Sequence, residues 1–353
     1  MKKLNKFILG AILFTLASCY KAPIDQIGPN ICPSAEFDFK LEDLKIDFLD
    51  GVSTTELSAL SDVVDFSKGG INIHGDFGEV VQWEMRITND SEQRTYSGKS
   101  DIFDLFWYGQ GDRFDGENLQ FSPGNVRIEL EVICQELENV NLITKQISVK
   151  GVQSFSNMNS KFGVLLRDWD QNGEFPISGN TYNGSDGWFG ASQQIIDDGA
   201  NGIFDFDYHY LDPSPAGGNY AQIYAKSSAV FWYGGATSLL IDGVNSNIDE
   251  TNSENVYVNF FVKADQSLPN CGSQVGFKFN NVNYIKTENI TWSDWKLLSY
   301  KLSEFKSLAG EPLNSTNVTD FLMMVGAQPE QTDELRVQYD FILLTSGGPL
   351  FKD

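Results

Sequence analysis

Eight short runs of alternating residues constrain this chain more than any other feature. They are "VVQWEMRIT", "NVRIELEVI", "LITKQISVK", "AQIYAKSS", "VYVNFFVKA", "VGFKFNNVNYI", "KLLSYKL" and "LRVQYDFILL". Each is rich in Val, Ile, Phe or Tyr and is bounded by Gly, Asn, Asp, Ser or Pro. Successive side chains of a strand face opposite sides, so such runs bury one face and wet the other. Helical spacing is scarce. "TTELSALSDVV" and "LSEFKSLAG" are the two candidates, each for a turn or two. Many short strands with turn signals predict an all-β chain built of sandwiches.

The N-terminus is set aside from the fold. "MKKLNKFILGAILFTLASC" places three lysines before an apolar run from Phe7 to Leu16, then small residues up to Cys19. That is the layout of a secretory signal, and the run is too short to span a bilayer. The Leu16-Ala17-Ser18-Cys19 block resembles the bacterial lipoprotein signal, which implies lipidation at Cys19. Residues 1–18 would then be removed, and 19–33 would form a lipidated tether.

The formal charge of −23 includes the signal lysines, so the mature chain is more negative still. Nucleic-acid binding rests on Lys and Arg neutralising phosphates, and this balance excludes it. It also opposes adsorption to anionic lipid, which leaves the anchor as the membrane contact. Of the cysteines beyond Cys19, Cys32 and Cys134 bracket the first unit and can pair in an exported protein. Cys271, in "LPNCGS", is then left over.

Low periodicity in "KGVQSFSNMNSKFG" marks a boundary. It divides a first unit at 34–150 from a second at 160–353, with 151–159 as linker. The first unit resembles the immunoglobulin-like PKD domains in "VVQWEMRI" and in "FSPGNVRIELEVIC" followed by "LITKQISVKG". The second resembles the jelly-roll carbohydrate-binding modules. The matching stretches, in order, are "GGNYAQIYAKSSAVFWYGGA", "VYVNFFVKAD", "VGFKFN", "ITWSDWKLLSYKLSEF" and "LRVQYDFILLTSGG". The whole layout is similar to the surface glycan-binding lipoproteins of Bacteroidota polysaccharide-utilisation systems. That resemblance implies a non-catalytic, lipid-anchored protein on the outer-membrane cell surface. It would capture a polysaccharide for a partner transporter complex and surface glycosidases. A neutral β-glucan such as laminarin is the expected ligand, with the first unit as spacer.

The tetrapeptide "FWYG" occurs at Phe106–Gly109 and again at Phe231–Gly234. Alternation makes one ring core and its neighbour outward in each copy. The first copy reads as core or interdomain packing. In the second, Trp232 or Tyr233 is expected to stack on a sugar ring, joined by Trp188 from "NGSDGWFGAS" and by Trp292 at a turn. Trp295 reads as core. "DWDQNGEF" places Asp168, Asp170, Asn172 and Glu174 at calcium-loop spacing, but Gly179 stands where an EF-hand needs its bidentate glutamate. The expectation is a structural calcium rather than an EF-hand. An enzyme is the alternative, a glycoside hydrolase or polysaccharide lyase. Its carboxylates would be Asp205 and Asp207 beside His209; Glu129 and Glu131 read as a solvated edge.

Overall fold

The computed structural model describes residues 32–49, 54–57, 63–112, 120–134, 142–151, 163–167, 214–217, 221–226, 233–240, 252–264, 272–290, 292–318, 320–327 and 334–351. Among these the chain is all-β. Helix is confined to single 3-10 turns at Leu41–Asp43, Ser253–Asn255 and Leu302–Glu304. The last of these lies in "LSEFKSLAG". In the other helical candidate, "TTELSALSDVV", the β-branched ends, Thr54-Thr55 and Val63-Val64, pair as strand, and 58–62 lie outside the described residues.

Seven strands build the first sandwich: β1 (Lys45–Leu49), β2 (Thr54–Glu56), β3 (Val63–Asp65), β4 (Gly70–Thr88), β5 (Gln93–Trp107), β6 (Gly124–Val132) and β7 (Leu142–Gly151). They run in the order β2-β1-β4-β6-β7-β3, with β5 beside β4. The long β4–β5 ladder is interrupted between Asp76 and Val81. Gly78 lies in that interruption at φ +73°, a conformation that glycine adopts without a Cβ clash. The first half of β4 pairs with β1 and the second half with β6, so one hairpin supplies both layers. Ile71, Ile73, Val81, Trp83, Met85 and Ile87 alternate inward along β4 and fill the core between them.

A disulfide joins Cys32 to Cys134 with the Cα atoms 4.9 Å apart, across 102 positions. It ties the segment leading into the sandwich to the end of β6. Closing so long a loop removes entropy from the unfolded chain. Replacing both cysteines with serine is expected to cost about 2–4 kcal/mol. Denaturant midpoints of the two proteins measure it, and coincident curves would refute the assignment.

Nine strands follow: β8 (Gly163–Arg167), β9 (Ala221–Lys226), β10 (Tyr233–Leu240), β11 (Val256–Ala264), β12 (Gly272–Phe279), β13 (Val282–Asn289), β14 (Lys296–Lys301), β15 (Asp320–Ala327) and β16 (Glu334–Ser346). They form two antiparallel sheets, β10-β15-β12-β13 and β14-β11-β16-β8, with β9 also on β16. Asn280 and Asn281, at φ 50° and 61°, make the tight turn between β12 and β13. Asparagine tolerates that region, as a two-residue hairpin turn requires. Phe260, Phe277, Phe305, Phe321 and Tyr339 meet between the sheets with no exposed surface to speak of. Asn259, fully buried in β11, is satisfied by Thr345 Oγ1, Ser299 Oγ and the Leu350 amide. It thereby fastens the end of the chain to the second core.

Candidate functional site

The first "FWYG" is divided between two cores. Trp107 points into the first sandwich, edge-on to Phe66 and Phe121 at 4.9 Å each, and its Nε1 donates to the Gln110 carbonyl. Phe106 and Tyr108, facing the other way, belong to the second core. Tyr108 meets Phe261 edge-on at 5.2 Å, and its hydroxyl accepts from the Leu297 amide. Gly109 follows at φ +88°, where an added Cβ would come within 3.0 Å of Phe66 and Gln120. Strand alternation therefore does the work of an interdomain rivet: one tetrapeptide packs both sandwiches.

A buried polar cluster lies beside it. Among the described residues β5 pairs with β4 alone, and on its other edge the Phe106 amide donates to Asp294 Oδ2 of the second sandwich at 3.0 Å. Asp294 Oδ1 accepts from the Trp295 amide and lies 3.7 Å from Arg94 Nη2. Arg94 Nη1 is 3.7 Å from Asp112, and its guanidinium sits 4.7 Å over the Tyr96 ring. Arg94 and Asp294 are only 4% and 5% exposed. Burial raises the Asp294 carboxyl above its ordinary value, while Arg94 and Lys263 pull it back. Nothing in the sequence marks this pair. A charged residue in an alternating strand reads as a wet position, and only the second sandwich dries it.

Trp292 corrects an expectation. Its place at a turn suggests an outward, ligand-stacking ring, yet it is 6% exposed. Its Nε1 donates to the Val262 carbonyl, and the Lys296 ammonium lies 4.4 Å over its ring. The same ammonium is 4.8 Å from the Phe106 ring. Val262 and Lys296 both belong to the second sandwich, so the ring that would face solvent is held against its own strands. Burial holds the Lys296 ammonium below the usual lysine range, opposed by Asp104 and Glu288. Trp295 is fully buried in the second core, as its strand position implies.

Tyr233 opens β10 and pairs with Ala327. Trp188, Trp232, the four residues Asp168, Asp170, Asn172 and Glu174, the Asp205/Asp207/His209 group, Cys271 and Cys19 lie outside the described residues. Among the described residues, no group of three or more His, Cys, Asp or Glu could share a metal ion. Glu129 and Glu131 lie on β6, between β4 and β7 rather than at an edge; Arg127 and Arg86 lie 2.7 and 3.8 Å from them.

The β10-β15-β12-β13 sheet has a second face. Val275 and Phe277 turn into the core, opposite Lys286 and Tyr284 of β13. The alternate residues of β13 therefore face away from the core. Asn283, Thr287 and Asn289 are exposed there, with half-buried Lys278 paired to Asn283 on the adjoining strand. Toward β15 the face is covered, as Leu322 at 2% exposure shows. The open part carries amide, hydroxyl and ammonium groups, with half-buried Ile285 between Asn283 and Thr287 on the same face. Such groups both donate and accept hydrogen bonds.

No protein-family profile matches the chain, and no curated protein matches it. Among solved structures, it is similar to carbohydrate-binding modules of the β-sandwich superfamily, at 10% identity and a TM-score of 0.32 over 82% of this chain and 95% of that one. It is also similar to SGBP-B from a complex xyloglucan utilization locus in Bacteroides uniformis. There the identity is 12% and the TM-score 0.30, over 86% of this chain and 73% of that one. An exo-β-agarase matches at 10% identity and 0.34, over 53% of this chain but 26% of that one. Identities and scores this low carry no argument about what this chain binds.

Proposed function

We propose that this protein is a non-catalytic glycan-binding protein whose second sandwich holds a neutral polysaccharide. One observation carries the proposal. All five stretches that resemble a jelly-roll carbohydrate-binding module contribute strands to a single two-sheet sandwich, as β9 with β10, β11, β12, β14 and β16. That sandwich offers an open sheet face of polar side chains. Trp188, Trp232 and Tyr233 are the proposed stacking rings. A ring covering about 60 Å² of sugar C–H surface is worth roughly 1.5 kcal/mol, about tenfold in affinity.

The finer proposals follow the sequence. Cys19 carries lipid and holds the protein at the outer-membrane surface, where a transporter complex and glycosidases take up the captured chain. Asp168, Asp170, Asn172 and Glu174 hold a structural calcium. The ligand is a β-glucan of the laminarin type.

Affinity electrophoresis of the mature protein in gels cast with neutral glucans, with and without chelator, tests this. Migration is expected to slow in a laminarin gel. Alanine at Trp188, Trp232 or Tyr233 is expected to restore it about tenfold toward the free rate while leaving the melting temperature in place. Chelation is expected to lower that temperature. Unchanged migration across the panel would overturn glycan binding, and release of new reducing ends would establish the enzyme instead. A Cys19→Ala protein that still partitions into detergent would refute the anchor.

A further inference from the structure

The first sandwich carries a groove of about 540 Å³ that its expected role as a spacer does not use. Its floor is the outward face of β1, β4 and β5. Register sets the groups in rungs across the three strands. Lys45, His74 and Asp104 share one rung, and Asp76 pairs with Ile102 on the next. Asn72 lies on the adjacent rung, opposite Phe106, and donates to Asp104 Oδ1 at 2.5 Å. His74 Nε2 lies 3.1 Å from Asp47 Oδ2.

Three properties bear on what could lie there. The groups are mixed, because an ammonium, an imidazole and an amide lie among three carboxylates, Asp43, Asp76 and Asp104. A hydroxyl can donate to the carboxylates and accept from the others, whereas a sulfated or carboxylated chain meets Asp76 and Asp104 and is repelled. Ile102 is 55% exposed, an apolar surface beside these polar groups. It can cover a C–H face while its neighbours bond hydroxyls. Finally, the groove adjoins the second sandwich. Phe106 and Leu49, from two of the same strands, pack against the second core, and Asp104 acts on the Lys296 ammonium of that sandwich. Every residue that lines the groove belongs to the first sandwich, so it lies beside the junction and not between the two.

We propose that this groove is a second glycan site, which binds a neutral polyhydroxylated chain on the first sandwich, beside its contact with the second. The proposal rests on the glycan-binding function above. It changes the role of the first sandwich from spacer to participant, so a long chain is held at two places and a short one at either.

The protein's two histidines make the test direct, since His74 and His209 give two imidazole Cε1–H resonances. His74→Gln identifies which is which. The mature chain is titrated with an oligosaccharide of the glucan that retards it in gels. The His74 resonance is expected to shift and saturate. Ile102→Ser and Asp104→Asn, both at exposed positions, are expected to raise the concentration at half-saturation at least fivefold with no change in melting temperature. A His74 resonance that stays fixed while the glucan still retards the protein would overturn the groove site alone. Saturation at lower concentration by an oligolysine than by the oligosaccharide would make the groove a site for basic peptides and would also overturn it. A glucan panel that retards nothing would remove the glycan-binding function and this site together.

Discussion

Replacing Trp107 with alanine is expected to lower the unfolding free energy by about 3–5 kcal/mol, the range for truncating a buried aromatic side chain. The indole has no exposed surface and is enclosed edge-on by Phe66 and Phe121. Its removal leaves a cavity that those rings can fill only in part, and it orphans the Gln110 carbonyl that Nε1 holds. Tyr108→Ala is the informative companion. It removes a ring from the other core, beside Phe261 and Phe351, and strands the Leu297 amide. If the tetrapeptide rivets two cores, either substitution destabilises both sandwiches. Thermal unfolding followed separately by each sandwich's tryptophans measures this. A Trp107→Ala protein with an unchanged midpoint would refute the packing. A fragment beginning at residue 160 lacks Phe106 and Tyr108. It is therefore expected to melt below the second sandwich of the whole chain.

Asp294→Ala is expected to cost a similar amount, about 3–5 kcal/mol, for a different reason. It leaves the Arg94 guanidinium, 4% exposed, without its partner from the second sandwich, and the Phe106 and Trp295 amides without an acceptor. A buried charge left with only its part-exposed partner, Asp112, is costly, whereas an apolar pair of similar volume often is not. The double replacement Arg94→Met with Asp294→Leu is therefore expected to recover much of the loss. Asp112 is the control. It lies 3.7 Å from the same guanidinium but is about a third exposed, so its alanine variant is expected to cost about 1 kcal/mol or less. Denaturant midpoints of the four proteins decide the matter. An Asp294→Ala protein no less stable than Asp112→Ala would show that the junction does not depend on this pair.

The strands were legible in the sequence because alternation is a local signal. "VVQWEMRIT" needs no partner to announce that Val81, Trp83, Met85 and Ile87 share a face, and the structure buries all four. The Asn280-Asn281 turn was missed: "VGFKFNNVNYI" reads as one run, and the structure folds it into the β12–β13 hairpin. At the ends of "TTELSALSDVV" helical spacing misled, because it cannot weigh the sheet edges at which Thr54–Glu56 and Val63–Asp65 pair. The candidate site was less legible than the fold. A ring's use depends on whether anything covers it, and Trp292 shows how a turn residue is buried against strands distant in sequence, by Val262 as well as Lys296.

The sequence by itself determined the all-β class and the inward face of strands such as "VVQWEMRIT". Each rests on order along the chain: period, turn residues and the succession of strands. Only the tertiary structure decided that Phe106 and Tyr108 serve the second core, that Arg94 and Asp294 are dry, that Cys32 meets Cys134, and that the rungs of β1, β4 and β5 make a groove. Alternation assigns a residue to one of two faces but does not say what lies against that face. That depends on a surface more than a hundred residues away, as between Phe106 and Asp294, and a single strand's pattern carries no information about it.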